Sequence, residues 1–282
     1  MSYSTMYPTE MPTLPTATAA GLLCFLVTPL PAQIDYRNLD DHRPVVTEDA
    51  YPVERYAFEL LAPYRFEAET GGDRLHTIVP EVAYGPARNT QLGLKLPFAG
   101  HDDDGGTDWG LAGLQLFALY NFNTEARWLP ALSVRGDVSF PVGSLAGEGS
   151  RLSVKAIVTR SWGRMRGHIN LARGFGSEDL LSVAEPLDRW NASLAVDRTF
   201  FRSSVLLIAE AAVSQSIEDA PAEVNASLGG RWQWTPTIVV DAGVTRRLRA
   251  DIGPDLALTI GLSHAFAIRG LMPAGPRRTS RR

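Results

Sequence analysis

The chain of 282 residues has a single cysteine, Cys24, so neither an intrachain disulfide nor a cysteine-rich zinc site can form. It also lacks an excess of basic residues. With 27 Lys and Arg against 31 Asp and Glu, the net charge is -4, which argues against a nucleic-acid-binding protein. A run of about 20 apolar residues is absent too, so a membrane-spanning helix is not expected. What is present, 45% hydrophobic and 21% charged residues, is enough for a folded core.

An apolar segment near the N-terminus predicts export. Residues 17–30 (ATAAGLLCFLVTPL) have about the length of a signal-peptide hydrophobic region, and Ala32 supplies a small residue for cleavage before Gln33. We therefore predict a signal peptide at residues 1–32, although residues 1–16 contain no Lys or Arg. A buried N-terminal helix or a disordered leader is the alternative.

The remaining chain divides into three parts. Residues 33–54 are charged and contain prolines, and we interpret them as an extended periplasmic segment ahead of the folded domain. Residues 55–268 contain no linker and predict one domain. Residues 269–282 form a basic tail with five arginines. A disordered periplasmic tail is the simpler interpretation of this last part, and binding to phosphate headgroups is the alternative.

Apolar and polar residues alternate with a period of two throughout the domain, which predicts strands. In the first run Tyr56, Phe58, Leu60, Ala62, Tyr64 and Phe66 share one face. In the last run Leu256, Leu258, Ile260, Leu262 and Phe266 do the same. We count about twelve runs, most of ~10–14 residues, whereas ordinary strands have ~5–6 residues and a tilted membrane strand needs about 9–11.

Three features favour a membrane barrel over a periplasmic β-sandwich, which is the alternative. The apolar face is lipid-like in nearly every run. Aromatic residues lie at the ends of runs, as interfacial girdles require: Trp109, Trp128, Phe140, Trp162, Phe175, Trp190, Phe200, Trp232 and Trp234. Short connections such as Gly163 alternate with longer, acidic ones such as residues 99–108 and 176–187. The sequence thus predicts an all-β fold, a transmembrane antiparallel up-and-down β-barrel of about 12 strands in the outer membrane.

The closing run LALTIGLSHAF, from Leu256 to Phe266, ends on an aromatic residue like the last strand of Gram-negative outer-membrane proteins. Together with hairpin sequences such as TQLGLKLPF, the region from Arg55 to Phe266 resembles the outer-membrane transporter family linked to the phenol meta-cleavage (MetA) pathway. That resemblance implies a barrel with a transport role. The chain departs from the pattern where the basic tail follows Phe266.

If lipid covers the apolar face, charged side chains of both signs point into the lumen. The predicted pore-lining residues are Glu59, Arg65, Glu67, Glu81, Lys95, Arg135, Asp137, Lys155, Arg166, His168, Asp197, Glu210, Glu223, Arg231 and Asp241. Twelve strands lie between small, filled barrels and open porins. The charges therefore fit a narrow polar pore for small molecules, with access gated by the outer loops. A closed salt-bridge network in a structural or adhesive barrel fits them equally well.

Catalytic and metal sites receive less support. Ser263 and His264 are adjacent and point to opposite faces of a strand, whereas His168 and Asn170 share a face, with Ser153 and Ser161 as the candidate serines. An outer-membrane lipid hydrolase is therefore the weakest of the three functions. The acidic stretch from His101 to Asp108 is interpreted as a solvated loop rather than a cation site. We expect no catalytic residues, metal, cofactor or nucleic acid. The expected partners are outer-membrane lipid, lipopolysaccharide and an unidentified small solute.

Overall fold

The computed structural model describes residues 29–31, 35–69, 72–103, 106–176, 189–201, 204–215, 221–249 and 253–272. Most of the predicted signal peptide, including Cys24, and residues 273–282 of the predicted tail lie outside the described residues. So do residues 177–187 of the acidic connection. The statements that follow concern the described ranges.

Sixteen strands and one short 3-10 helix make up the described chain. The strands are β1 (Pro29–Pro31), β2 (Ala57–Ala68), β3 (Arg74–Ile78), β4 (Glu81–Ala87), β5 (Thr90–Lys95), β6 (Phe98–Asp103), β7 (Gly106–Leu111), β8 (Leu114–Asn123), β9 (Ala131–Phe140), β10 (Arg151–Trp162), β11 (Met165–Phe175), β12 (Trp190–Phe200), β13 (Val205–Gln215), β14 (Glu223–Thr235), β15 (Ile238–Arg249) and β16 (Leu256–Ile268). The 3-10 helix, Arg269–Leu271, follows β16 directly.

Antiparallel neighbours close these strands into a barrel. Strands β8 to β16 pair in sequence order, and β16 pairs back onto β2 over twelve registered residue pairs. Strands β3 and β4 are two parts of one barrel strand, since both pair with β2, and β5 with β6 and β7 with β8 are likewise continuous across short breaks. β1 adds three residue pairs at the end of β16, Phe266 to Ile268, and is not counted as a strand of the closed ring. Counted in this way the barrel has twelve strands, which confirms the prediction.

The strand breaks lie side by side in the wall. Val79-Pro80, Leu96-Pro97 and Ala112-Gly113 interrupt three neighbouring strands at one level. Proline has no N–H for the ladder. The carbonyl oxygens of these prolines still accept hydrogen bonds between strands. Leu96 N–H donates to Pro80 O (3.0 Å), and Ala112 N–H donates to Pro97 O (2.8 Å). The hydrogen-bonded wall is therefore continuous across these breaks.

The alternation in the sequence corresponds to an outer apolar belt. In β16 the burial pattern alternates along the whole strand, with Ile260 59% exposed and its neighbour Thr259 3% exposed. Large exposed apolar side chains recur on β5, β8, β10, β11, β12, β13 and β14. So extensive an apolar surface on a closed barrel is the one that hydrocarbon covers. Among the described residues, no helix is long and apolar enough to cross a membrane.

One predicted loop has a different structure. Residues 99–108 were expected to be an irregular acidic loop, but most of this stretch continues into the β6–β7 hairpin. The hairpin extends the wall at the end where the longer connections lie. Its strands pair Gly100 with Trp109 and Asp102 with Thr107. Backbone pairing with the adjacent strand β3 overrides the poor strand propensity of this Asp- and Gly-rich sequence.

A lipid-facing charge tests the orientation of the belt. Ile260→Arg places a guanidinium on the apolar face near the middle of β16, and we expect it to lower the free energy of unfolding in lipid by roughly 2–4 kcal/mol. Leu271→Arg is the matched control, because Leu271 is 49% exposed and lies beyond the strand. Equal small losses for both variants in urea unfolding would contradict a lipid-facing β16.

Candidate functional site

The fifteen residues predicted to line the lumen all lie on the inward face of the barrel. Twelve are buried, and the remaining three, Arg65, Glu67 and Glu223, are partly exposed near the end with the longer connections. Alternation fixes their direction, because each is flanked by outward-facing residues. Their role in permeation stays a prediction, since seven of them contact another part of the chain: Lys95, Arg135, Lys155, Arg166, Glu210, Arg231 and Asp241.

That other part is residues 35–55, which we call the luminal segment. The sequence analysis placed residues 33–54 ahead of the folded domain, as an extended piece. In the structure the luminal segment runs inside the barrel and leads directly into β2 at Ala57. Leu39, Thr47 and Ala50 are each at most 2% exposed. The segment is thus an integral part of the lumen, and polar wall residues explain why so hydrophilic a sequence can be buried.

Side chains of the wall satisfy the segment's main chain in succession. Glu210 accepts the N–H groups of Val46 (3.3 Å) and Thr47 (2.6 Å). Asn170 accepts from Glu48 N–H and donates to Glu48 O, both at 2.8 Å, as a neighbouring strand would. These bonds offset the cost of burying the main chain, which would otherwise exclude an irregular segment from a lumen.

The same pattern continues toward β2 with uncharged wall residues. Ala50 N–H donates to Thr159 Oγ1 (3.0 Å), and Ala50 O accepts from Asn121 Nδ2 (2.8 Å) and Ser133 Oγ (2.6 Å). Val53 N–H donates to a Gln91 side-chain oxygen at 2.8 Å. Sequence reasoning missed these uncharged residues. Their inward register was visible in the alternation, but nothing in the sequence identified their partner.

Ion pairs fix the segment's charged side chains on the wall. Arg43 is 1% exposed and donates through Nε to Asp241 Oδ2 at 2.7 Å. Its Nη2 contacts Ser263 Oγ at 3.2 Å. Asp40, three residues earlier, lies 3.0 Å from Arg231 Nη2. Because removing one partner of a buried ion pair leaves an uncompensated charge, these contacts specify one seated position for the segment.

Two acidic residues of the segment meet a basic region of the wall. Asp41 contacts Lys95 (3.1 Å), Arg135 (3.5 Å) and Lys155. Glu48 contacts Arg135 Nη1 (2.8 Å) and Lys155 Nζ (3.3 Å). We call Lys95, Arg135 and Lys155 the basic cluster. They belong to β5, β9 and β10, and all three are buried.

The candidate catalytic histidine belongs to a buried network. His168 is 0% exposed, with Nδ1 3.0 Å from Thr159 Oγ1 and Nε2 2.9 Å from Asp197 Oδ2. Arg166 joins Asp197 (2.9 Å) to Asp49 of the luminal segment (2.9 Å). This network faces the segment, so His168 is not placed to act on lipid outside the barrel.

The other candidate catalytic residues also have structural partners. Asn170 pairs with the segment's main chain, as described above. Ser161 donates to Glu125 Oε1 at 2.8 Å, and Ser263 contacts Arg43. Ser153 lies opposite Asp137 on the neighbouring strand. It is far along β10 from Thr159, the residue that lies opposite His168. The structure therefore does not assemble these residues into one site.

Apolar contacts and small wall residues complete the fit. Tyr36, Leu39 and Val45 form a buried cluster with wall residues such as Leu206 and Val239. At Pro44 the segment comes within van der Waals contact of the wall. A Cβ on Gly243 would be 2.5 Å from Pro44 O, and one on Gly229 would be 2.8 Å from Pro44 Cγ. This close approach requires glycine on two neighbouring strands.

Carboxyl groups of the segment and of the adjoining turn differ in pKa. Burial would raise the pKa of Asp41, but Lys155 and further cations outweigh it and hold that pKa well below 3.8. Burial would also raise the pKa of Glu125, yet hydrogen bonds from Tyr51 and Ser161 leave it lowered. For Asp49, burial prevails over Arg166 and raises the pKa to about 7. Asp41 and Glu125 are hence charged in the seated state, and their contribution is lost only on acidification below their usual pKa.

A cavity of about 360 Å³ remains between segment and wall at the end with the shorter turns. Its lining includes Arg37, Glu54, Glu59 and Arg166, so it is polar and carries both signs of charge. Outer-membrane barrels place their short turns in the periplasm, which assigns this cavity to the periplasmic mouth. No group of metal-ligating side chains occurs within the described parts of the chain.

Comparison with solved structures identifies the fold. An outer membrane channel from Pseudomonas putida F1 has a TM-score of 0.57 at 12% identity, over 81% of this chain and 100% of that chain. The NanC porin has a TM-score of 0.51 at 11% identity, over 73% and 98%. The KdgM porin has a TM-score of 0.50 at 10% identity, over 72% and 98%. The chain has the fold of these outer-membrane channel barrels. No protein-family model and no curated protein matches the sequence.

Proposed function

We propose that the protein is an outer-membrane channel for passive passage of small polar molecules, with the luminal segment as its gate. The observation that carries this proposal is how the lumen is filled. A twelve-stranded wall encloses more space than its own side chains occupy, and here a segment that continues into the wall at β2 takes up that space. Displacing it leaves a lumen lined by charged and polar residues.

The bonds between segment and wall support a removable occupant. Most of them are ion pairs and hydrogen bonds, of which Arg43 to Asp241 and Glu48 to Asn170 are examples. Water can take over such bonds when the segment leaves, whereas it cannot replace the contacts of an apolar core. The sequence analysis assigned gating to the outer loops. On the basis of its contacts with the wall, we propose the luminal segment for that role.

Reconstitution tests the channel. The purified full-length protein in planar bilayers with 1 M KCl is expected to give discrete current steps, while empty detergent gives none. Folding is checked on the same sample by the heat-dependent shift in gel mobility. A folded barrel that inserts and never conducts would overturn the proposal.

A closed structural barrel is the second candidate, and the filled lumen favours it. If the seated position were permanent, the ion pairs would form the closed network considered in the sequence analysis. The two candidates differ in current alone, so the bilayer experiment separates them. Lipid ester hydrolysis that disappears in His168→Ala would instead support the lipid hydrolase, for which the buried position of His168 gives no support.

Two further assignments belong to this proposal. We infer membership of the MetA-type transporter family from the closing run Leu256 to Phe266 and the hairpin sequences, and the outer-membrane channel fold supports it in general terms. We also assign lipid and lipopolysaccharide as the surroundings of the apolar belt. The exposed aromatic residues at the strand ends, for example Trp128 and Trp162, support this location.

A further inference from the structure

We propose that the basic cluster of Lys95, Arg135 and Lys155 is a binding site for the carboxylate groups of the permeating solute. When the luminal segment is seated, Asp41 and Glu48 occupy this site as internal ligands. The proposal rests on the channel function above and names its solute class, small carboxylates and dicarboxylates above all.

The seated segment shows what the site binds. Five ionic contacts join the two carboxylates to the three cations, and Lys155 Nζ contacts both carboxylates. Two carboxylates that reach one ammonium define the spacing of a small dicarboxylate. The contacts come from side chains of the segment, so a diffusing molecule with the same groups can make them.

The strand register supplies an independent reason for an anion. Arg135 and Lys155 lie directly opposite each other on β9 and β10. Like charges in that position destabilise a strand pair. Glu48 bridges them, at 2.8 Å from Arg135 Nη1 and 3.3 Å from Lys155 Nζ. Once the segment leaves, the two cations need another anion between them.

The central cation is held in position without the segment. Asp137 accepts from Arg135 Nε (3.0 Å) and Nη2 (2.7 Å), and the guanidinium carbon lies 3.8 Å from the centre of the Phe117 ring. These contacts leave Nη1 directed to Glu48. A guanidinium fixed by the wall in this way can bind a carboxylate with little loss of side-chain entropy.

The test removes the internal ligands and keeps their shape. The full-length Asp41→Asn, Glu48→Gln variant is reconstituted in bilayers with succinate as the probe and the neutral succinamide as its counterpart. We expect the apparent affinity for succinate, measured from block of the KCl current, to rise about tenfold over the parent chain. Succinamide should show no such gain. Asp108→Asn, Glu148→Gln is the matched control, since it changes the charge equally at two exposed positions, one on β7 and one between β9 and β10.

A third substitution shows where succinate binds. Adding Lys155→Gln to the variant should remove the gain, and Lys95→Gln replaces it if the first protein does not fold. Equal succinate block in parent and variant, with a normal KCl current, would overturn the carboxylate site and leave the channel intact. A gain that survives both lysine substitutions would also overturn it. Absence of KCl current in the folded parent would instead refute the channel function.

Discussion

Oxidation of a Thr47→Cys, Ser193→Cys variant is expected to abolish the ion current, and reduction is expected to restore it. Thr47 lies on the luminal segment and Ser193 on β12, and their Oγ atoms are 2.7 Å apart. Sulfur atoms at these positions need to approach to about 2.05 Å, which a small side-chain adjustment achieves. The disulfide ties the segment to the wall at mid-barrel and so prevents it from leaving.

The cross-link experiment has a built-in control. The control is Thr47→Cys alone in a chain with Cys24→Ser. It also lacks the threonine, but it cannot form the disulfide. Its current should not depend on oxidation. If the double variant is fully cross-linked and conducts as well as its reduced form, solute passes beside the seated segment and the segment is not the gate.

Gly243→Val is expected to have the opposite effect, a larger or more frequent open state. A Cβ there meets Pro44 O at 2.5 Å, and a backbone atom cannot rotate away. Overpacking of this kind costs about 1–3 kcal/mol. Because Pro44 meets Gly243 only when the segment is seated, this cost destabilises the seated state alone. It shifts the ratio of seated to displaced segment roughly 5- to 150-fold toward the displaced state. Open probability in single-channel records measures that shift.

The neighbouring Gly230 gives a matched control. A Cβ on Gly230 meets only ordinary contacts, Leu206 O and Leu207 Cδ2 at 3.5 Å. It lies on the other face of β14, so Gly230→Val keeps the strand substitution without touching the segment. Unchanged open probability in Gly243→Val, with intact barrel folding, would show that Pro44 does not hold the seated position.

Strand number and the two faces of the wall follow from local sequence. A period of two is set by backbone geometry, so Ile260 outward and Thr259 inward could be assigned without knowing any neighbour. An even number of strands allows the first and last strands of the ring to pair antiparallel, as β2 and β16 do. The break at Val79-Pro80 could not be predicted, because the alternation from Arg74 to Gly85 indicates one uninterrupted strand.

The position of the luminal segment could not be read from the sequence. Its residues have no alternation of their own, because their partners are spread over many strands of the wall. Arg43 reaches Asp241, 198 residues away, and Glu48 reaches Asn170, 122 residues away. Composition suggested an extended segment ahead of the folded domain. Its acids were visible, as were the wall's cations, but only the folded barrel brings them together.

Those separations in sequence also order the assembly of the molecule. Partners of the segment lie on strands from β5 to β16, so its binding position in the lumen is complete only after the sheet has closed. Contacts between residues so far apart form late. Until then water must hydrate the charged wall residues that the segment later covers, and the interior of the newly formed barrel is filled with water across the bilayer. We therefore expect the luminal segment to dock after the sheet has closed and to expel this water.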